Sequence, residues 1–137
     1  TGAGGVFAKV LTATGIGAAL SGAITEAHLP LLLAGFVISL ALRAAQGSAT
    51  VAILTTCGLL LGAINDGNYS TVQVALLAVA IGFGGLGLSH VNDSGFWIVT
   101  RYLGLSVADG LRSWTVLTTV LGLCGFALTA IVWNLIA

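Results

Sequence analysis

What this sequence can fold into is set by where it is charged. Lys9, Glu26, Arg43, Asp66, Asp93, Arg101, Asp109 and Arg112 leave charge-free windows of 16 residues between Glu26 and Arg43, 22 up to Asp66, 26 up to Asp93, and 25 after Arg112. About 20 apolar residues suffice to cross the hydrocarbon of a bilayer as a helix. With 6% of its residues charged, the chain has about a quarter of the charge usual in a soluble domain. It reads as an all-α integral membrane protein, because a lipid-exposed backbone must satisfy its own hydrogen bonds. The formal net charge is zero, so no basic surface is available for nucleic acid phosphates. Cys57 and Cys124 stand alone in apolar runs, which gives neither a disulfide framework nor a metal pair, and no cofactor is implied.

The windows divide into elements. Residues 1–28 read as part of a preceding helix, with Lys9 near one end and Glu26 and His28 near the other. No basic leader or cleavage site precedes an apolar run, so no signal peptide is expected, and the chain, starting at Thr1, reads as part of a longer one. Residues 29–65 hold two apolar arms, Leu29 to Leu42 and Val51 to Asn65. Each is roughly 21 Å long as a helix, short of the roughly 30 Å of hydrocarbon. They predict a re-entrant hairpin whose polar tip, Arg43 to Thr50, lies at membrane depth and therefore against a cavity.

Residues 71–100 form a longer apolar run with a broken middle. Gly82, Gly84, Gly85 and Gly87 precede Ser89-His90-Val91-Asn92-Asp93-Ser94-Gly95, and Phe96-Trp97-Ile98-Val99 is apolar again. This pattern predicts a discontinuous transmembrane helix with an unwound polar centre. Residues 101–112 carry two Arg against one Asp and are expected to form a cytoplasmic loop by the positive-inside rule. Residues 113–137 are expected to be the last transmembrane helix, running outward, with Trp114 and Trp133 19 positions apart in opposite interfacial belts.

The polar breaks carry the chemistry. An ionisable residue inside a membrane segment costs on the order of 2.5–3.5 kcal/mol on insertion scales, which makes Asp93 a functional candidate. Asp93 with His90 could exchange protons with either side of the membrane; alternatively, both cap half-helices, with Asp93 an N-cap. At the tip, Gln46, Gly47, Ser48 and Thr50 offer an amide, hydroxyls and free N–H groups where a helix N-terminus would attract an anion, or Ser48 and Thr50 are ordinary caps. Arg43 is a candidate anion partner, or a charge snorkelling to water. Gly82, Gly84 and Gly87 fit GxGxxG, yet no soluble strand–turn–helix unit surrounds them; they either unwind or closely pack a membrane helix. No G-x-S-x-G elbow surrounds Ser48, so the chain does not read as an enzyme.

Two strings carry a specific likeness: Ala41-Leu42-Arg43-Ala44-Ala45-Gln46-Gly47-Ser48-Ala49-Thr50-Val51-Ala52, and Leu88-Ser89-His90-Val91-Asn92-Asp93-Ser94-Gly95-Phe96-Trp97. With Thr1-Gly2-Ala3-Gly4-Gly5-Val6-Phe7, Gly104-Leu105-Ser106 and Trp114-Thr115-Val116, they resemble the last third of the gluconate permease family of proton symporters. The resemblance implies proton-coupled uptake of gluconate or a related sugar acid across the bacterial inner membrane by a multi-pass transporter. It also implies a fold similar to the second half of an inverted-repeat, elevator-type ion transporter, working as a homodimer with the remainder of the full-length protein.

On this reading Gln46, Gly47, Ser48, Thr50, Asn92 and Ser94 bind substrate, and Asp93 with His90 carries the coupled proton. The alternative is a structural membrane subunit without transport activity, its glycines serving close helix contact.

Overall fold

The computed structural model describes residues 30–136, together with Val6, Lys9, Val10, Ala13, Thr14, Gly15, Ile16, Ala19 and Gly22. The expected helix over 1–28 therefore lies largely outside the described residues. Among those described, every regular element is helical: α1 (Leu31–Gln46), α2 (Ala49–Asp66), α3 (Thr71–Leu86), α4 (Ser94–Tyr102) and α5 (Val107–Ile136), the last containing a π segment at Leu111–Thr115. α2 and α5 are long and apolar enough to cross a membrane.

Local chemistry fixes the ends. α1 starts directly after Pro30, whose φ of −56° already suits a helix. It stops at Gly47, which takes the left-handed conformation at φ 74° and returns its N–H to the Arg43 carbonyl at 2.9 Å, as a helix C-terminus requires. Ser48 then caps α2. Ser70 and Gln73 close a reciprocal capping box at the start of α3. Ser106 caps α5, accepting the Asp109 N–H at 3.2 Å and donating to the Asp109 carboxylate at 2.6 Å.

Three boundaries differ from the sequence expectation. The hairpin's polar stretch is mostly helical: Arg43 to Gln46 form the last turn of α1, and only Gly47 and Ser48 leave the helix. The arms are correspondingly 16 and 18 residues long, or about 24 and 27 Å. The break after α3 is also narrower than expected, since Gly82, Gly84 and Gly85 remain helical and the chain unwinds only over residues 87–93. Finally, the expected loop 101–112 is short. α4 ends at Tyr102 and α5 begins at Val107, so Asp109 and Arg112 are helical, because Ser106 and Asp109 nucleate a helix where their polarity suggested a loop.

The helical glycines explain how these short elements meet. A Cβ on Gly84 would run into the Phe36 carbonyl oxygen, one on Gly85 into Ile53 at 2.7 Å, and one on Gly35 into Leu77 at 2.9 Å. α1 and α3 thus approach almost backbone to backbone at Gly84, and Ile53 of α2 packs directly onto Gly85, the small-residue packing that lipid, offering no hydrophobic drive between helices, favours. Leu31, Leu32, Ala34, Leu60, Leu77, Ala80 and Ile81 fill the resulting core. α5 closes one side: Gly122 faces the Phe83 carbonyl, Gly125 faces the Phe83 ring, and Phe126 stacks on Phe36 with centroids 4.3 Å apart.

Gly82 gives an internal control, since a Cβ there would meet nothing within 4 Å. Gly84→Ala is expected to destabilise the purified protein by about 1–3 kcal/mol, because the obstacle is backbone and has no alternative rotamer. Gly82→Ala is expected to be neutral or stabilising by up to about 1 kcal/mol. Thermal unfolding of the two variants in detergent checks the difference.

Candidate functional site

The two chain breaks meet. The Gly47–Ser48 turn lies against residues 87–93, so closely that a Cβ on Gly47 would overlap the Asn92 carbonyl. Only glycine fits here on two counts, the positive φ and the close approach.

Arg43 and Asp93 join the breaks in a buried ion pair, their side chains 7% and 8% exposed. Arg43 Nη2 donates to Asp93 Oδ2, and Nη1 donates to the Gly47 carbonyl at 2.7 Å. Asp93 also accepts from the Ser89 hydroxyl on Oδ2 and from the Gly95 N–H at 2.9 Å on Oδ1. Each charge suits its helix end: Arg43 stands in the last turn of α1, and Asp93 is the N-cap of α4. Arg43 is therefore not snorkelling to water. Asp93 is a cap, as one reading had it, and is also the one acidic partner of a buried guanidinium among the described residues.

A relay extends the pair to α5. The Trp114 indole N–H donates to Ser89 Oγ at 2.8 Å, the Thr115 hydroxyl donates to the Ser89 carbonyl at 2.6 Å, and the Leu88 N–H donates to Thr119 Oγ1 at 3.3 Å. Trp114 and Thr115 lie in the π segment, whose wider turn alters the direction of the side chains it carries; such segments recur at functional sites. Trp114 thus turns its indole N–H inward, onto the break. Leu88 holds φ 51°, a conformation costly for a bulky residue that persists when its surroundings over-determine it.

These groups line a cavity of about 330 Å³, bounded by Arg43, Ser48, Ala49, Thr50, Leu86, Ser89, Asp93, Ser94, Gly95, Trp114 and Thr118. The first turns of α2 and α4 both open onto it, bringing two sets of N–H groups without helical partners to one space. Of the residues singled out from sequence, Arg43, Ser48, Thr50, Asp93 and Ser94 stand on the cavity wall, whereas Gln46, Gly47, His90 and Asn92 are not among its lining. His90 Nε2 lies 3.2 Å from the Ala44 carbonyl, and Asn92 Nδ2 donates to that same carbonyl at 2.7 Å. Both fasten the break to the end of α1. Ser89, Trp114 and Thr118 were missed. The first stood unremarked in the SHVNDSG run, and nothing in the sequence shows that a π segment turns Trp114 toward it.

The family profile described as GntP family permease matches residues 1–136. The chain belongs to the GntP permease family. It is 63% identical over 136 residues to the inner membrane permease YgbN of Escherichia coli (strain K12), a match covering 99% of this chain and 30% of that protein. Over the same length, with the same coverage, it is 43% identical to the low-affinity gluconate transporter of that strain. It is 41% identical over 122 residues to the Gnt-II system L-idonate transporter, covering 89% of this chain and 27% of that protein. This GntP-family chain thus spans under a third of the length of these relatives, which are permeases and transporters rather than enzymes. No solved structure gives a significant match.

Removing one partner of a buried pair leaves an uncompensated charge, whereas replacing both with apolar groups does not. Arg43→Met is expected to cost about 3–5 kcal/mol of stability, and Arg43→Met with Asp93→Leu to recover most of that loss. Denaturant unfolding of the singles and the double in micelles measures the coupling; additive single costs would mean that the two side chains do not interact.

Proposed function

We propose that this chain is the C-terminal part of a multi-pass secondary transporter of the bacterial inner membrane, which takes up gluconate or a related sugar acid with protons. The observation that carries the reading is the cavity where the hairpin turn meets the break between α3 and α4. It combines one buried cation, one carboxylate, five hydroxyl-bearing positions at Ser48, Thr50, Ser89, Ser94 and Thr118, and two helix N-termini. Such a mixture suits a polyhydroxylated anion. The gluconate and L-idonate named for two relatives belong to that class.

Depth supports the same reading. If α3, the break and α4 make one crossing, the break falls within the bilayer, and the Gly47 turn packed against it is a re-entrant tip at the same level. Discontinuous helices with their N-termini aimed at an anionic substrate are the recurring device of secondary transporters. In our assignment Ser48, Thr50 and Ser94 bond the substrate's hydroxyls, Asp93 carries the proton, and His90 and Asn92 hold the break against α1.

In proteoliposomes of the whole transporter, an inward proton gradient is expected to drive gluconate accumulation, with L-idonate competing. Thr50→Ala and Ser94→Ala should each raise KM about two- to tenfold, the effect of one lost neutral hydrogen bond. Asp93→Asn should abolish accumulation against a gradient. Accumulation no greater than in empty vesicles would favour a packing subunit instead.

A further inference from the structure

The ion pair has an open edge. Arg43 Nη1 is committed to the Gly47 carbonyl and Nη2 to a single oxygen of Asp93, while Nε, buried, has no partner. Nε and Nη2 share one edge of a guanidinium, and that edge accepts both oxygens of a carboxylate in the bidentate fork that makes arginine the usual carboxylate ligand. Asp93 does not use it this way, because its other oxygen is turned to the Gly95 N–H. Arg43 also lines the cavity.

Resting on the sugar-acid reading above, we propose that Asp93 stands in for the substrate's carboxylate on Arg43, and that protonation of Asp93 is what hands the guanidinium over. A proton from the aqueous side adds to Asp93 Oδ2, converting carboxylate to carboxylic acid and ending its charge pairing with Nη2. The substrate carboxylate then takes Nε and Nη2 together. Ser89 accommodates the change, since its Oγ already accepts from Trp114 and can accept the new Asp93 O–H through its second lone pair. Its own hydrogen, now bound to Asp93, becomes free for a substrate hydroxyl.

Charge explains why the two events are tied. The empty site holds one guanidinium and one carboxylate and is neutral. Loaded with anion and proton it is neutral again, whereas loaded with anion alone it would carry an unbalanced negative charge in a low-dielectric site. No other charge competes for the role among the described residues. Arg43 from α1 is the one cation on the cavity wall, α2 and α5 contribute hydroxyls, backbone and the Trp114 indole, and His90, on the same segment as Asp93, has its ring on the Ala44 carbonyl. One proton therefore accompanies each monovalent sugar acid.

The test is gluconate binding to the purified whole transporter across pH 5–8, with proton uptake read by calorimetry in two buffers of different ionisation enthalpy. We expect affinity to fall about tenfold per pH unit on the alkaline limb, with about one proton taken up per gluconate bound there. Asp93→Asn should still bind gluconate, with both the pH slope and the proton uptake reduced to near zero. His90→Gln should keep both, and Arg43→Gln should weaken binding at least about tenfold, as loss of a bidentate charged contact does. Gluconate binding by the unmodified protein without proton uptake at any pH would overturn the exchange while leaving the sugar-acid reading intact, and needs no variant to fold. Loss of the slope in His90→Gln with its retention in Asp93→Asn would also overturn it. Failure to bind gluconate or L-idonate at any pH would instead remove the sugar-acid reading, and the exchange with it.

Discussion

One buried ion pair organises this protein. Taking a guanidinium and a carboxylate out of water costs several kcal/mol per ion, so such a pair persists only where geometry and further hydrogen bonds offset that cost. Here the offsets come from the chain breaks themselves. Arg43 sits at a helix C-terminus and Asp93 at a helix N-terminus; the Gly47 carbonyl satisfies one, and Ser89 with the Gly95 N–H satisfies the other. The unwound segments that make the site possible are thus the ones that supply its ligands.

Everything else serves to bring those breaks together. Glycines at 35, 84 and 85 allow α1, α2 and α3 to approach until a single methyl group would clash. Glycines at 122 and 125 admit α5 against Phe83. The π segment then turns Trp114 and Thr115 onto Ser89, linking the site to a helix otherwise exposed along much of its length. Tight packing far from the cavity and polar contacts within it are successive parts of one construction.

The helical architecture and the place of the site were legible because both follow from where polar residues interrupt apolar runs. Arg43 and Asp93 stood out as charges falling beside or within breaks, and the structure joins them. The details that were not legible depend on contacts between distant segments. The glycine cluster at 82–87 could equally have unwound a helix or packed one; Phe36, Ser39 and Ile53 on neighbouring helices decide for packing at Gly84 and Gly85, while the helix ends at Gly87. The polarity of Arg43 to Gln46 suggests irregular backbone, although their helix continues until Gly47 closes it. His90 and Asn92 read as site residues from their neighbours in the chain, but their side chains turn to Ala44. Ser106 and Asp109 started a helix where two arginines had suggested a loop.

The central requirement is that the two breaks enclose one substrate cavity reached from water. Thr50 and Ser94 line it from the first turns of α2 and α4, so they report on it independently. In a whole transporter freed of its native cysteines, Thr50→Cys and Ser94→Cys should both react with a membrane-impermeant thiol reagent, and gluconate should slow both reactions. If either position is unreactive, or if gluconate protects neither, the two breaks do not form a common site.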